Sequence, residues 1–240
     1  MDRFRVEVIS KTPNPQQTIY AAMHQDYAEE FVWDQRQEWP TEEKAGELVI
    51  RNLLKGGRGH YGPLEHPQIV LNCGFFPHST MQQIRTHRVG LSFDVQSFRY
   101  TGSRIIDVVK GKTDVEDVFY LRPVGAYTDR QGKKYEYTEA LRQQDIAWCL
   151  KGCERYKTRI DQGFSEEHAR GLIPFDVRQH WVLSANARSL MHLLDLRWKA
   201  DAQLEAQKLC EAIWPQFQDW VPAIANWYEA TRLKKARLSP

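Results

Sequence analysis

The chain has 240 residues, with 33 Lys and Arg against 31 Asp and Glu, and eight Trp within a well-populated aromatic set. That length allows one sizeable core or two small ones, and the aromatic content excludes a disordered tail. A net charge of only +2 argues against a bulk polyanion binder, so any anion held here is small and bound locally.

Residues 3–9 alternate apolar and polar positions (Phe4, Val6, Val8), which predicts an opening strand. There is no apolar signal core in that stretch and no uncharged run long enough for a membrane, so a soluble, cytoplasmic protein is expected. Asn14-Pro15 reads as an N-cap followed by Pro at the first helical position. A second helix is expected from Thr41, with Glu42 and Glu43 in its first turn and Gly56-Gly57 at its end. Ile69 to Phe76 is a short apolar run closed by Pro77, read as a strand. Ser79-Thr80-Met81-Gln82 has the capping-box form and should open another helix.

Arg104–Val109 and Val115–Leu121 read as short strands, and Asp129-Arg130-Gln131-Gly132 as a polar turn. From Thr138 to Gly163, Leu141, Ile146, Leu150, Cys153, Tyr156 and Ile160 fall at helical spacing. Ser165 is placed to cap a short helix with Glu166 and Glu167 at its positive end, which Pro174 stops. Phe175 to Leu183 alternates loosely like a strand. Asn186 caps a long helical segment, and Pro215 and Pro222 are expected to break up the helical C-terminus. Without an internal repeat or a low-complexity linker, the pattern reads as one α+β domain over 1–240, richer in helix than in strand.

The four cysteines (Cys73, Cys149, Cys153, Cys210) lack the paired spacing of a zinc site and read as reduced thiols, Cys73 and Cys210 within apolar core runs. His60, His66 and His78 read as structural or loop histidines, none with a metal-ligand partner at convincing spacing. No metal is expected.

The densest chemistry lies between Gln82 and Arg104. Gln82, Arg85, His87 and Arg88 are followed by Gln96, Ser97, Arg99, Tyr100 and Arg104. Arginine forks suit a phosphate or the edge of a planar base, and the hydroxyl and amide add short-range donors. A solvated basic surface loop is the plainer reading. It leaves Val89, Leu91, Phe93, Val95 and Phe98 in water, so a loop laid against a ligand in a partly buried polar pocket suits these residues better.

The runs Arg85-Thr86-His87-Arg88 and Ser97-Phe98-Arg99-Tyr100 resemble the signature of the flavin-dependent thymidylate synthases, the ThyX family. Asn186-Ala187-Arg188-Ser189-Leu190-Met191-His192, then Leu196-Arg197, Ala202-Gln203 and Glu205, resemble a second family segment. His60-Tyr61-Gly62-Pro63-Leu64-Glu65-His66 resembles the loop before the signature, and Arg170 stands where the family has a further arginine. The match covers about half the chain, in order. It departs at Thr86, which intervenes between Arg and His, and in the eight residues between Arg88 and Ser97. Val95 stands where a Glu is usual, with Asp94 adjacent; Gly62 replaces a frequent Thr and His192 a frequent Asn.

The resemblance implies an α+β fold with an antiparallel-type sheet flanked by helical groups, and reductive methylation of dUMP to dTMP. It implies FAD as cofactor, with NADPH and 5,10-methylenetetrahydrofolate as co-substrates. For dUMP it points to Gln82, Arg85, Gln96, Ser97, Arg99, Arg170 and Arg197, with Arg197 catalytic. For FAD it points to Gly62, Arg85, His87, Arg88, Asn186, Arg188 and His192. It also implies a homotetramer with active sites shared between subunits, and small-molecule partners without nucleic acid or membrane.

Arg197 tests this independently, because it shares an apolar helical stripe with Leu190 and Leu194. A charge there snorkels to the helix edge, pairs with an acid, or faces an anionic substrate. Arg188 and His192, four apart on another face, grip a flavin or line a solvated surface. Two rival readings have less support. A Rossmann-type oxidoreductase would need its phosphate loop in Gly56-Gly57-Arg58-Gly59, which ends a helix where strand should join helix. A polynucleotide-binding module using Phe98 and Tyr100 for stacking fits poorly with near-neutral charge.

Overall fold

The computed structural model of the chain describes residues 3–56 and 60–235. Strand β1 (Arg5–Lys11) is followed by helix α1 (Pro15–Gln25), a 3-10 segment (Val32–Glu38), and α2 (Glu42–Val49) with one wide turn beyond it (Ile50–Leu54). A short 3-10 turn (Gly62–Glu65) leads into β2 (Gln68–Pro77), α3 (His78–Ile84) and β3 (Leu91–Val95). Then come α4 (Phe98–Thr101), α5 (Ser103–Val109), α6 (Val115–Val118), β4 (Gly125–Thr128) and β5 (Lys134–Tyr137). Helix α7 (Glu139–Asp161), α8 (Glu166–Ala169), β6 (Arg178–Asn186), α9 (Ala187–Arg197), α10 (Leu204–Trp220) and α11 (Pro222–Thr231) complete the chain. The fold is α+β, with a four-stranded sheet in the order β1-β2-β6-β3 and a separate antiparallel β4–β5 hairpin.

Local chemistry explains most of these boundaries. Thr138 caps α7 by accepting from Leu141 N–H, Thr41 caps α2, and Asn186 caps α9 with its Oδ1 2.8 Å from Ser189 N. Asn14 precedes α1 as expected but adopts a left-handed conformation and its side chain does not cap. Glu42 does that work instead, its two carboxylate oxygens each accepting at 2.8 Å from the N–H groups of Gln16 and Gln17. Gly56 (φ 83°) has the left-handed backbone of a helix terminator. Gly57, with the Arg58 and Gly59 of the glycine cluster, lies outside the described residues.

Four local expectations are corrected. Arg104–Val109 and Val115–Leu121 are not strands: the first is α5, burying Ile105 and Val108 one turn apart, and the second opens as α6, capped by Asp114. Their β-branched content is outweighed by packing. The strands of this region flank the Asp129 turn instead, where the Asp129 carboxylate accepts from Gln131 and Lys133 N–H and sets Tyr127 opposite Tyr135. Residues 91–95 form strand β3, not a loop, and Val89 is 85% exposed. Pro215 lies inside α10 without ending it, whereas Pro222 does begin a new helix.

The chain separates into two compact units, and the division falls within β2, β3 and β6. In the first unit (residues 3–4, 74–83 and 94–181), α5 packs against α7 around Phe98, Ile105, Val118, Phe119, Cys153 and Tyr156. Buried Arg178 donates to the carbonyls of Glu116 and Phe75, at 2.8 Å each. In the second unit (residues 5–73, 84–93 and 182–235), α1 packs on α2, and α9, α10 and α11 bury Leu190, Leu194, Leu209, Ile213, Phe217 and Tyr228. Each such side chain contributes roughly 1.5–3 kcal/mol of burial. All four cysteines are buried and free, and burial raises every thiol pKa, Cys149 to about 12 and Cys153 to about 11.

Candidate active site

The centre of the second unit is a contact between the two signature segments. Helix α9 begins at capped Asn186 and carries Arg188, His192 and Arg197 along its length. Arg197 Nε donates to His87 Nε2 at 2.9 Å, and Arg197 Nη2 donates to Thr86 Oγ1 at 3.3 Å. The His87 and His192 rings meet edge to face at 5.4 Å. His87 is only 8% exposed, and burial, then the charge of Arg197, then His192 bring its pKa down to about 4. His87 is therefore neutral at neutral pH, with Nε2 as acceptor and the proton on Nδ1. Burial also lowers the pKa of Arg197, which remains a cation. Of the three fates open to a charge on the apolar stripe, pairing with an acid is not seen among the described residues. Arg197 is half-buried and held by a neutral imidazole and a hydroxyl.

Around that centre, Gly90 is essential for shape. Its φ is +67°, and a Cβ placed on it would lie 2.1 Å from Ser189 Oγ and 2.4 Å from Asn186 Nδ2. The backbone after the first motif thus lies directly against the first turn of α9. Arg188 donates to Glu65 Oε1 at 2.5 Å and its guanidinium lies 5.8 Å from the Tyr61 ring, joining α9 to the Gly62–Glu65 turn. Arg85 and Arg88 are exposed. The helix before them ends at Ile84, and Thr86, not Arg85, lies beside Arg197. Gly62 has no atom within 4 Å of a Cβ position, so its surroundings are open.

The remaining sequence-predicted residues lie in the first unit. Ser97 caps α4, its hydroxyl accepting from Arg99 N–H at 3.4 Å, and Arg99 Nη1 donates to Glu167 Oε1 at 3.0 Å. Glu167 belongs to α8, which leads directly into Arg170, exposed at the start of a 3-10 turn. Gln82 is exposed on α3 with its Nε2 2.9 Å from His78 Nε2. Gln96 N–H donates to the His180 carbonyl at 2.9 Å.

The structure thus brings His87, His192 and Arg197 together, sets Asn186 against Gly90, and ties Arg188 to Glu65. Gln82, Gln96, Ser97, Arg99 and Arg170 belong to one unit, Arg85 and Arg197 to the other. Sequence reasoning missed Thr86, Glu65, Tyr61 and Glu167 as partners. Thr86 and Glu65 stood within the matched segments, but nothing in their spacing marked them as holding an arginine. Among the described residues no group of three or more His, Cys, Asp or Glu could hold a metal ion, and no helix is long and apolar enough to cross a membrane.

Comparison with known proteins places these segments in context. The thymidylate synthase complementing protein family, Thy1, matches residues 7–223. The flavin-dependent thymidylate synthase of Halobacterium salinarum is 33% identical over 251 residues, covering 98% of this chain and 100% of the relative. Among solved structures, a UMP/dUMP methylase, PolB, from Streptomyces cacaoi bound with 5-Br dUMP superposes with a TM-score of 0.75 at 20% identity, covering 100% of this chain and 98% of the other. Thymidylate Synthase X from Helicobacter pylori, with FAD and dUMP, superposes with a TM-score of 0.65 at 19% identity, covering 91% and 96%. Those two likenesses share the α+β fold described above.

Proposed function

The chain belongs to the flavin-dependent thymidylate synthase family, and from that premise we propose that it methylates dUMP to dTMP with 5,10-methylenetetrahydrofolate as carbon donor and NADPH as reductant. The observation that carries this reading is the Arg197–His87 hydrogen bond, which joins the two segments that match the family. A guanidinium fixed at one edge by neutral His87 and by Thr86 keeps its remaining donors in one orientation. Turned to the pyrimidine of dUMP, it favours loss of the N3 proton and stabilises the resulting negative charge, making the base a better carbon nucleophile. In the first unit, Gln82, Gln96, Ser97, Arg99 and Arg170 would supply the amide, hydroxyl and fork donors that a nucleotide monophosphate needs.

The donor set of the second unit suits FAD. Arg85 and Arg88 expose two forks fitted to a pyrophosphate, and the open space at Gly62 leaves room for a ring against backbone. His87, Asn186, Arg188 and His192 would complete the contacts, with Arg188 held in position by Glu65. Bound FAD supplies the hydride that completes the methyl group. No cysteine is needed as nucleophile, which accords with four buried thiols whose pKa values are all raised. Reduced thiols also support a cytoplasmic setting. A homotetramer with shared sites completes the proposal.

The test is Arg197→Ala. The variant is expected to keep its FAD absorbance while losing dTMP formation by at least about a hundredfold, the scale of a lost electrostatic stabiliser. Near-normal turnover would refute the role given to Arg197.

A further inference from the structure

The first unit holds a half-buried cation that none of the roles above uses. Arg104 lies on α5 with its guanidinium carbon 4.8 Å from the Phe98 ring centroid. Its Nε and Nη2 atoms are buried and meet no hydrogen-bond partner among the described residues. Burial brings its pKa down to about 10, which leaves it charged at neutral pH. Taking a guanidinium out of water without an acceptor is costly, and a position that needed only packing would be served by Met or Leu.

The surroundings are shaped around the same spot. The Gln96 N–H holds the His180 carbonyl. Burial and the charge of Arg104 hold the His180 imidazole below its ordinary pKa, so it adds no second cation. The His180 ring is backed edge to face by Phe75, at 4.7 Å, and a Cβ on Gly74 would come within 2.9 Å of its Nδ1. Phe75 itself adopts φ +68°, a left-handed backbone that a bulky residue keeps only where its surroundings impose it. The Nε and Nη2 donors lie on one edge of the planar fork, the edge that binds two oxygens side by side.

We infer that Arg104 is a further substrate-binding residue: its Nε–Nη2 edge, laid against Phe98, receives two oxygens of an anionic group carried by a substrate. That edge matches the spacing of oxygens in a phosphate or carboxylate. Two substrates of the proposed reaction carry such a group, the nucleotide as a phosphate monoester and the folate as a glutamate carboxylate. The inference rests on the proposed function and extends it, because Arg104 follows Gln96, Ser97 and Arg99 within eight residues and faces the ring between them.

Arg104→Met and Arg104→Lys test it, with three readouts: melting temperature without ligands, dUMP affinity by calorimetry without reductant, and KM for methylenetetrahydrofolate. Arg104→Met is expected to melt no lower than the wild type, since it removes an unpaired half-buried charge, and to lose about tenfold in one of the two substrate constants. A weakened dUMP Kd with unchanged folate KM identifies the nucleotide phosphate; the reverse identifies the folate carboxylate. Arg104→Lys keeps the charge but not the fork and should lose affinity for the same substrate, which decides the matter if the Met variant does not fold. Unchanged constants in the folded variants would overturn the inference alone. A wild type that neither binds dUMP nor forms dTMP would overturn the proposed function and this inference with it.

Discussion

His87 accepts a hydrogen bond from Arg197 on the nitrogen that would otherwise take up a proton, and its folded pKa of about 4 records that conflict. The unfolded chain protonates this residue near pH 6.5, the folded chain only near 4. Protons therefore favour unfolding between those values. The contribution is fully present above about pH 6.5, falls as pH drops through the window, and levels off below about 4. A depression of that size corresponds to at most about 3.4 kcal/mol, and solvent beside half-buried Arg197 and His192 screens it to roughly 2 kcal/mol. The assay is urea unfolding of wild type and His87→Gln at several pH values between about 7 and 4. Glutamine can accept from Arg197 but cannot titrate, so the difference between the two proteins isolates this proton from the carboxylates that titrate nearby. The stability advantage of the wild type should shrink by roughly 2 kcal/mol towards pH 4. A difference that stays flat across the window would refute the neutral His87–Arg197 arrangement.

Gly90→Ala should destabilise the fold by about 2–4 kcal/mol, from the positive φ and the collision with Ser189 and Asn186, measured by denaturant unfolding; a loss under about 0.5 kcal/mol would show that the loop moves away from α9. Asp195 is 4% exposed and accepts from Tyr228 Oη at 2.8 Å and Arg232 Nη2 at 2.6 Å. Asp195→Ala should cost about 3 kcal/mol, and Asp195→Asn distinctly less, because the amide oxygen still accepts from the tyrosine. Equal losses in the two variants would show that the hydrogen bond to Tyr228 is not what the carboxylate contributes.

Most helix starts were legible in the sequence because capping is local chemistry: Thr41, Thr138, Ser165 and Asn186 each sit where their side chains accept from the next turn. Long-range substitutes were not. Glu42 completes α1 from 25 residues away, which no window around Asn14 reveals. The strand readings at 104–109 and 115–121 failed because β-branched residues report a half-buried surface, and α5 and α6 bury theirs on a helical face. At the candidate site, the arginines and His87 were visible as residue types, and the apolar stripe singled out Arg197. What holds those arginines in place was not visible, since Thr86, Glu65 and Glu167 reach them only through the fold. Arg104 illustrates the same limit: its type was legible within the motif region, but not that its Nε and Nη2 are buried without a partner among the described residues.

The most direct measurement is dTMP formation by the purified protein given dUMP, methylenetetrahydrofolate and NADPH, with and without added FAD, and with UMP as a second acceptor. Product that depends on FAD and forms from dUMP is the expected result. A folded protein that binds flavin yet makes no dTMP would contradict the assigned substrate, and one that neither binds flavin nor makes dTMP would contradict the proposed function itself.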